Sequence, residues 1–290
     1  MILQKEIIEK ATKNEVAKSI IDKDWVIGHF LDTIYSVSDL KQKLVFKGGT
    51  CIKKCYIHDY RFSEDLDFTC TDEKFELTGN HLKEICKLVE KRSGTLTHIQ
   101  SLKELRYKNK RTGFEAIIKF WGADHRKNDV PPAPERWLTK IKIEVILYEK
   151  VMFPFENKSV SHEYSDSLTE NAKSIPCYSV NEILSEKLRS LIQRSYTAPR
   201  DYYDIWFLSR HFKELDHKAI VNAFHEKMKY KGHEFTGIEQ FINEESDNIL
   251  KKSWKNSLGH QIPQNKPPEF NTVKNDLKVW FENLFSNNKK

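Results

Sequence analysis

The sequence predicts an α+β fold, with a mixed sheet flanked by helices in the N-terminal part and a mainly helical C-terminal domain. Alternation of apolar and polar residues, typical of strands, recurs between residues 44 and 147, with helical periodicity before and between these segments. Beyond about residue 165 the strand patterns fade and helical apolar stripes continue. We therefore expect two domains, residues 1–165 and 166–290, with their boundary between residues 160 and 178 and a ligand cleft between them.

Residues 4–43 are predicted to be mostly helical. Apolar residues recur there at helical offsets, and Lys and Glu occupy the other faces. We expect residues 1–43 to brace the sheet domain. The apolar positions are Ile7, Ile8, Val16, Ile20 and Ile21.

A glycine turn follows the first predicted strand, Leu44–Lys47. Gly48 and Gly49 can adopt positive φ without steric cost, so the backbone can turn tightly and present N–H groups to a phosphate. Thr50 suits the N-cap of the next helix, whose N-terminus favours an anion. The same tripeptide also occurs in ordinary strand-to-helix turns.

Two aspartates follow in the next predicted strand, residues 65–69. Asp65 and Asp67 would project from one face, because side chains alternate with period two in a strand. The neighbours Leu66 and Phe68 would enter the core. Carboxylates this close repel each other unless a cation lies between them. The pair therefore predicts a divalent metal site, and Mg²⁺ or Mn²⁺ held by carboxylates and substrate phosphates would suit it.

The remaining segments of the sheet domain alternate between helical and strand patterns. A helix is followed by two strands joined by a hairpin turn, and after a proline-containing loop a last strand closes the sheet. In that last strand, apolar residues alternate with Lys140, Lys142 and Glu144. The segments are the helix Asn80–Lys91, the strands Thr95–Tyr107 and Phe114–Trp121, the turn Asn109–Gly113, and the strand Lys140–Leu147.

The C-terminal part contains two segments of interest. Lys187 lies beside a helical apolar stripe between residues 182 and 192. Asp201 and Asp204 follow Pro199 and would share one face near a helix N-terminus, where acidic side chains favour the helix dipole. A surface lysine and a capping aspartate are the structural alternatives.

Composition indicates a folded protein. The chain has 290 residues, of which 39% are apolar and 12% aromatic. No apolar run approaches the roughly 20 residues of a membrane span, and the N-terminus lacks a signal-peptide pattern. We expect a cytoplasmic protein without membrane contact. The lysine-rich end, residues 287–290, is expected to fray.

The five cysteines do not suggest a disulfide framework, because their number is odd and no CxxC pair occurs. Cys51 and Cys55 would share one helix face as reduced, buried or half-buried thiols. The 11 histidines show no matching cluster, so we do not expect a zinc site.

The glycine turn and the aspartate strand together resemble the nucleotidyltransferase signature of the AbiEii/AbiGii toxin family, within the DNA polymerase β-like superfamily. The matching strings are KGGTCIKKCY, residues 47–56, and RFSEDLDF, residues 61–68. In that signature a glycine turn opens a helix, Asp-x-Asp lies on the next strand, and a third carboxylate lies on a later strand. The resemblance implies a nucleotidyltransferase-fold sheet and an NTP substrate.

The resemblance also implies roles for particular residues. Glu144 would be the third metal ligand beside Asp65 and Asp67, or the general base toward an acceptor hydroxyl. Lys187 would reach the nucleotide phosphates, and the catalytic Asp201 and Asp204 would belong to an Arg-Asp-x-x-Asp motif. The nucleotide-binding residues would be Lys47, Gly48, Gly49, Thr50, Arg61, Ser63 and Lys187.

By the same resemblance, the acceptor would be the 3′ end of tRNA or another RNA, and the protein would be a toxin with a cognate antitoxin in phage defence by abortive infection. Transfer to a protein or small-molecule hydroxyl and a catalytically silent nucleotide-binding module remain alternatives. The net charge is +6. Two basic clusters could contact phosphates: Lys103, Arg106, Lys108, Lys110 and Arg111, and Arg189, Arg194, Arg200 and Arg210.

Overall fold

The structure is a computed structural model that describes residues 1–126 and 128–286. It divides into two compact units, one built from residues 1–149 and 155–177 and the other from residues 150–154 and the chain from 178 onward. Residues 166–177, which are predicted from the sequence to belong to the second domain, pack in the first unit. The end predicted to fray, residues 287–290, lies outside the described residues.

The first unit combines helices with a mixed sheet, as predicted. Its helices are α1 (Gln4–Asn14), α2 (Lys18–Ile34), α3 (Ser38–Lys43), α4 (Gly48–Cys51), which continues as a π-helical turn (Ile52–Tyr56), and α5 (Gly79–Ser93). Its strands are β1 (Leu44–Lys47), β2 (Asp65–Cys70), β3 (Leu96–Tyr107), β4 (Lys110–Trp121), β5 (Lys140–Ile146), β6 (Glu156–Lys158) and β7 (Ile175–Cys177).

In the described part of the chain, seven strands form one sheet in the order β3-β4-β5-β2-β1-β7-β6. The β2–β5 and β1–β7 pairs are parallel, whereas the other neighbours are antiparallel. The alternation predicted for β2 and β5 is observed: apolar residues such as Leu66 and Ile143 are buried, and the polar residues between them are partly exposed. The two strands thus present their charged side chains on one face of the sheet.

Two short strands, β6 and β7, occur where the sequence predicts none. β7 extends the sheet beside β1, with Phe46 opposite Cys177, and β6 pairs with β7. A three-residue strand is too short for a period-two pattern to be recognised. The prediction that the Glu144 strand closes the sheet is therefore wrong, because β5 lies between β4 and β2.

The β3–β4 turn also differs from the predicted turn, Asn109–Gly113. Lys108 and Asn109 form it with φ values of 45° and 63°, and a short polar side chain such as Asn tolerates this left-handed conformation. Gly113 instead lies within β4, where a Cβ would collide with the carbonyl oxygen of Val145 on β5. The glycine is required by the close approach of two strands, and β4 begins earlier than predicted.

Helix α2 is buried on nearly all sides, although the sequence predicts helices with charged faces here. Its buried carboxylates have partners that are distant in sequence. Asp24 accepts a hydrogen bond from Lys54 Nζ at 2.8 Å, and Asp32 accepts one from Arg92 at 2.8 Å. Such pairs compensate for the desolvation of a charged group.

The second unit is helical, as predicted. Its helices are α6 (Val180–Gln193), α7 (Pro199–His211), α8 (His217–Lys231), α9 (Glu244–Leu258) and α10 (Phe270–Ser286). Ser179 caps α6 by accepting a hydrogen bond from the Glu182 N–H. Among the described residues, none of the helices has both the length and the apolar character needed to cross a membrane.

Candidate active site

The three carboxylates predicted to bind metal lie on neighbouring strands. The parallel pairing of β2 and β5 places Asp67 directly beside Glu144. Asp65, two residues before Asp67, faces the same side of the sheet, and its side chain is partly exposed. The sheet thus brings together acids that are 77 positions apart in the sequence, counted from Asp67 to Glu144.

The electrostatics of the cluster favour a cation. Burial raises the pKa of Asp67 to about 6, and repulsion from the Glu144 and Asp65 carboxylates adds to this increase. The ammonium groups of Lys47 and Lys142 act in the opposite direction. Additional positive charge between the carboxylates would therefore stabilise their ionised state.

Lys142 is a member of the site for which the sequence predicts no role. Its Nζ lies 3.3 Å from Glu144 Oε2 and 3.8 Å from Asp65 Oδ2. The period-two pattern already places Lys142 on the same strand face as Glu144, so its spacing was the available signal. Lys142 serves as an internal counter-ion to two of the predicted metal ligands.

The glycine turn contacts the acidic cluster. Gly48 has a φ of 81°, and a Cβ there would lie 3.2 Å from Asp67 Cγ and would collide with Asp67 Oδ2. A Cβ on Gly49 would lie 2.9 Å from Arg61 Nη2 and 3.0 Å from Ser63 Oγ. The turn therefore lies between a carboxylate on one side and a guanidinium and a hydroxyl on the other.

Thr50 does not cap the helix, contrary to prediction. Helix α4 begins at Gly48 after Lys47, and Thr50 lies inside it and is buried. Its hydroxyl donates to the backbone carbonyl of Asp65 and lies 2.9 Å from Ser63 Oγ. The φ of Gly48 lets the helix begin earlier, and the Thr50 side chain joins the helix to the start of β2.

The two predicted nucleotide-binding cations on this side are both buried. Lys47 lies opposite Asp67 in the β1–β2 register. The Arg61 guanidinium donates to the Phe62 carbonyl at 3.2 Å and extends to Gly49. Because both are held by protein groups, their positions are defined before any ligand binds.

The chemistry of the donor set fits a hard divalent cation. Carboxylate oxygens are the ligands that Mg²⁺ and Mn²⁺ prefer. Asp65, Asp67 and Glu144 supply such oxygens from one sheet face, and repulsion from Glu144 and Asp65 adds to the burial that raises the pKa of Asp67. These three residues would hold the cation.

The other predicted catalytic residues form a compact ion cluster in the second unit. Lys187 Nζ on α6 lies 2.8 Å from Asp201 Oδ1 and 2.6 Å from Asp204 Oδ2 on α7. Asp201 also pairs with Arg194 at 2.9 Å. Asp204 is fully buried. The structure therefore brings these three predicted residues together, and the aspartates hold the lysine in place.

A cavity of about 220 Å³ borders this ion cluster. Its lining is largely polar and includes Arg194, Asp201, Tyr196, Asn243 and Ser246 from the second unit. Charged and amide groups around a small cavity suit a polar ligand.

The first predicted basic cluster is partly neutralised by acids. Arg111 pairs with Glu76 at 2.9 Å, and Arg106 pairs with Glu104 at 2.6 Å. At the tip of this hairpin, Tyr107 is 63% exposed. The net positive potential of the hairpin is therefore lower than its sequence suggests.

Comparison with known families identifies the chain. A sequence profile described as nucleotidyl transferase AbiEii toxin, type IV toxin–antitoxin system, matches residues 29–276. The chain belongs to the AbiEii toxin family. The resemblance inferred from the glycine and aspartate motifs is thus confirmed, and the protein is a nucleotidyltransferase toxin of a type IV toxin–antitoxin system. Membership of such a system implies a cognate antitoxin.

Solved structures confirm the fold of this AbiEii toxin. MenT4, a nucleotidyltransferase toxin from Mycobacterium tuberculosis H37Rv, superposes with a TM-score of 0.66 at 17% identity, covering 98% of this chain and 90% of MenT4. JHP933 from Helicobacter pylori superposes with a TM-score of 0.55 at 14% identity, covering 94% of each chain. No curated protein sequence matches this chain significantly.

Proposed function

We propose that this AbiEii toxin uses a divalent cation to transfer a nucleotidyl group from an NTP to the 3′ hydroxyl of tRNA or a related RNA. The observation that carries the proposal is the β2–β5 register, which places Asp67 beside Glu144 with Asp65 on the same face. The glycine turn lies against the same carboxylate, Asp67. Mere nucleotide binding does not require three acids on one sheet face next to a glycine turn.

Asp65, Asp67 and Glu144 would hold Mg²⁺ or Mn²⁺. When bound, the cation supplies charge neutralisation at the α-phosphoryl group and the departing pyrophosphate. Lys142 offsets part of the carboxylate repulsion from within the protein. Glu144 would share the cation or accept the proton of the acceptor hydroxyl.

The glycine turn would bind the triphosphate. Gly48 and Gly49 begin α4, and because they lack side chains they would let a phosphate approach the backbone N–H groups there closely. The Arg61 guanidinium and the Ser63 hydroxyl adjoin Gly49 and would add hydrogen bonds. Thr50 would hold Ser63 and the start of β2 in position.

In the second unit, Lys187 would contribute positive charge toward the nucleotide phosphates. Asp201 and Asp204 would fix the orientation of its ammonium group through the two short ion pairs. A lysine held in this way loses little conformational freedom when it binds a ligand.

An RNA acceptor is supported by the family and by the exposed hairpin tip. Tyr107 is exposed beside Lys108, whose Nζ lies 5.5 Å from the centre of its ring. An aromatic ring next to a cation suits stacking on a base and contact with a phosphate. Blocking the 3′ end of tRNA would stop translation, which suits a role in phage defence by abortive infection.

The test is incubation of the purified protein with total RNA, Mg²⁺ and each labelled NTP in turn. We expect label at RNA 3′ ends and release of pyrophosphate. Asp65→Asn and Asp67→Asn should each reduce transfer by at least about 100-fold, because each removes a charged ligand needed in the transition state. The circular dichroism spectrum should stay unchanged, since neither carboxylate belongs to the apolar core.

Asp59→Asn provides the control, because it makes the same chemical change at an exposed loop position. Label on a protein or small molecule instead of RNA would contradict the RNA acceptor. NTP binding without pyrophosphate release would contradict the enzymatic role of the site.

A further inference from the structure

Three cysteine thiols that are not part of the acidic cluster meet in the first unit. The sulfur atoms of Cys51, Cys55 and Cys177 all lie within 4.8 Å of one another. Cys51 and Cys177 are buried, Cys55 is partly exposed, and all three are free thiols. The proposed nucleotidyl transfer makes no use of them.

The fold explains why these residues meet. Cys51 and Cys55 are four residues apart, across the junction of α4 and the π-helical turn, so they share a helix face. Cys177 lies on β7, which pairs with β1 at Phe46, and β1 leads directly into α4. The strand β7, which comes late in the chain, thus places the Cys177 sulfur beside the sulfurs of Cys51 and Cys55.

Contrary to the expectation from the sequence that no zinc site is present, we propose that Cys51, Cys55 and Cys177 form a binding site for one thiophilic divalent cation of the Zn²⁺ type. Three thiolates with one open position are a known coordination set for such ions. A Zn–S distance of about 2.3 Å corresponds to sulfur–sulfur distances of about 3.8 Å in a tetrahedral site. The three sulfurs therefore need to approach each other by at most about 1 Å.

The surroundings of the cluster are suited to a cation. The Tyr56 hydroxyl lies 3.7 Å from Cys177 Sγ. Glu156 Oε2 accepts a hydrogen bond from that hydroxyl at 3.2 Å, and the Glu156 backbone carbonyl lies 3.3 Å from Cys177 Sγ. Glu156 is itself paired with Lys158 at 2.8 Å, so the Glu156 carbonyl oxygen and the Tyr56 hydroxyl, rather than a net negative charge, would support a bound cation.

Binding would exchange protons for metal. Three S–H bonds would release their protons to solvent as three metal–sulfur bonds form, and no atom would change its oxidation state. The bound ion would join β7 to the helix that begins at Gly48. It would therefore restrict the motion of the glycine turn.

The test is titration of the reduced full-length protein with Co²⁺, which reports thiolate ligands by a sulfur-to-cobalt charge-transfer absorption. We expect this band to saturate at one Co²⁺ per chain and to disappear when one equivalent of Zn²⁺ is added. Cys55→Ser should lose the band, and because Cys55 is partly exposed, a serine should be accepted there. Cys177→Ala is the second variant, because alanine suits its buried position.

Two controls separate this site from the rest of the molecule. Cys86→Ser changes a cysteine of α5 outside the cluster and should keep the band. The double variant Asp65→Asn/Asp67→Asn should also keep it, since oxygen ligands give no thiolate band. Absence of the band in the reduced wild-type protein, or its persistence in Cys55→Ser and Cys177→Ala, would overturn the proposal.

Discussion

Gly48 is the residue on which the geometry of the turn depends most directly. Its positive φ is accessible to glycine at no steric cost, and the Asp67 carboxylate occupies the space of a side chain. The sequence alone indicated the first requirement, since paired glycines mark tight turns. The second requirement depends on β2 lying beside β1, which only the folded structure shows.

Gly48→Ala should reduce both stability and activity. The strained φ alone should cost more than about 1 kcal/mol of unfolding free energy. The displaced Asp67 carboxylate should lower nucleotidyl transfer by about tenfold or more. Denaturant unfolding and the RNA labelling assay would measure the two effects.

Gly79→Ala is the matched control for this change. Gly79 begins α5, and a Cβ there would meet no atom within 4 Å. We expect its stability and activity to equal those of the wild type. Equal behaviour of the two glycine variants would contradict the role assigned to Gly48.

Lys142→Gln should increase the thermal stabilisation of the protein by Mg²⁺. Without the ammonium group, Asp65, Asp67 and Glu144 repel one another more strongly, so the metal-free variant should unfold at a lower temperature. Added Mg²⁺ should restore this loss, making the Mg²⁺-induced increase in Tm about 2 °C or more larger than in the wild type. Thermal unfolding with and without Mg²⁺ measures the difference.

Lys140→Gln serves as the control, because it removes a lysine from an exposed position of the same strand. Its Mg²⁺-induced Tm increase should match that of the wild type. If Lys142→Gln showed the same increase as well, Lys142 would not act as a counter-ion to the metal ligands.

At the scale of elements, the positions of strands could be predicted from the sequence better than the pairing of those strands in the sheet. The alternation in β2 and β5 correctly identified which residues are buried, because period two is a local property of the chain. The two missed strands, β6 and β7, are three residues long, so they lack a detectable pattern. Helix α2 was predicted correctly, whereas its complete burial depends on packing against distant elements.

The buried carboxyl group of Asp22 on α2 should make stability depend on pH. Burial raises its pKa from an ordinary value of 3.8 to about 7, although its carboxyl accepts a hydrogen bond from the Ala123 N–H at 2.7 Å. A proton is therefore bound more tightly in the folded than in the unfolded state. The resulting stabilisation is fully present below pH 3.8 and is lost as pH rises to about 7.

Asp22→Asn removes this titration. We expect the unfolding free energy of the wild type relative to the variant to fall by about 1 kcal/mol per pH unit between pH 5 and 7. Above pH 7 the difference should level off. Denaturant unfolding of both proteins at four pH values would show this, and parallel pH profiles would contradict it.

At the scale of the whole molecule, this chain shares its fold with solved structures to which it has little sequence identity. MenT4 covers 98% of this chain at 17% identity. The ability to bury an apolar core and pair strands is conserved by many different sequences. The polar pairs that stabilise each unit must then be identified from the structure.

Glu182 and Lys227 form such a pair in the second unit. Both side chains are fully buried, and Lys227 Nζ lies 2.5 Å from Glu182 Oε1. Glu182 Oε2 also accepts hydrogen bonds from the backbone N–H groups of Met152 and Phe153 at 2.9 and 2.8 Å. This carboxylate therefore joins residues 150–154 to α6 and α8.

Glu182→Gln should destabilise the protein by about 3 kcal/mol or more, because it removes the nearer of the two carboxylates around a buried ammonium group and leaves the more distant Glu186, at 3.9 Å from Lys227 Nζ. Glu170→Gln breaks the exposed pair with Lys173 and should have no measurable effect. Calorimetric unfolding of both variants tests the comparison. Similar Tm values for the two variants would mean that other groups compensate the buried charge of Lys227.

The sequence by itself determined the residue types and their local directions: a glycine turn, two aspartates on one strand face, and Glu144 on another strand. These follow from backbone preferences and from the periods of helix and strand, which act over a few residues. Only the tertiary structure decided that Asp67 lies beside Glu144, that Lys142 lies between the acids, and that Cys177 joins Cys51 and Cys55. These contacts join residues far apart in the chain, and strand order and register, which no local pattern encodes, determine them.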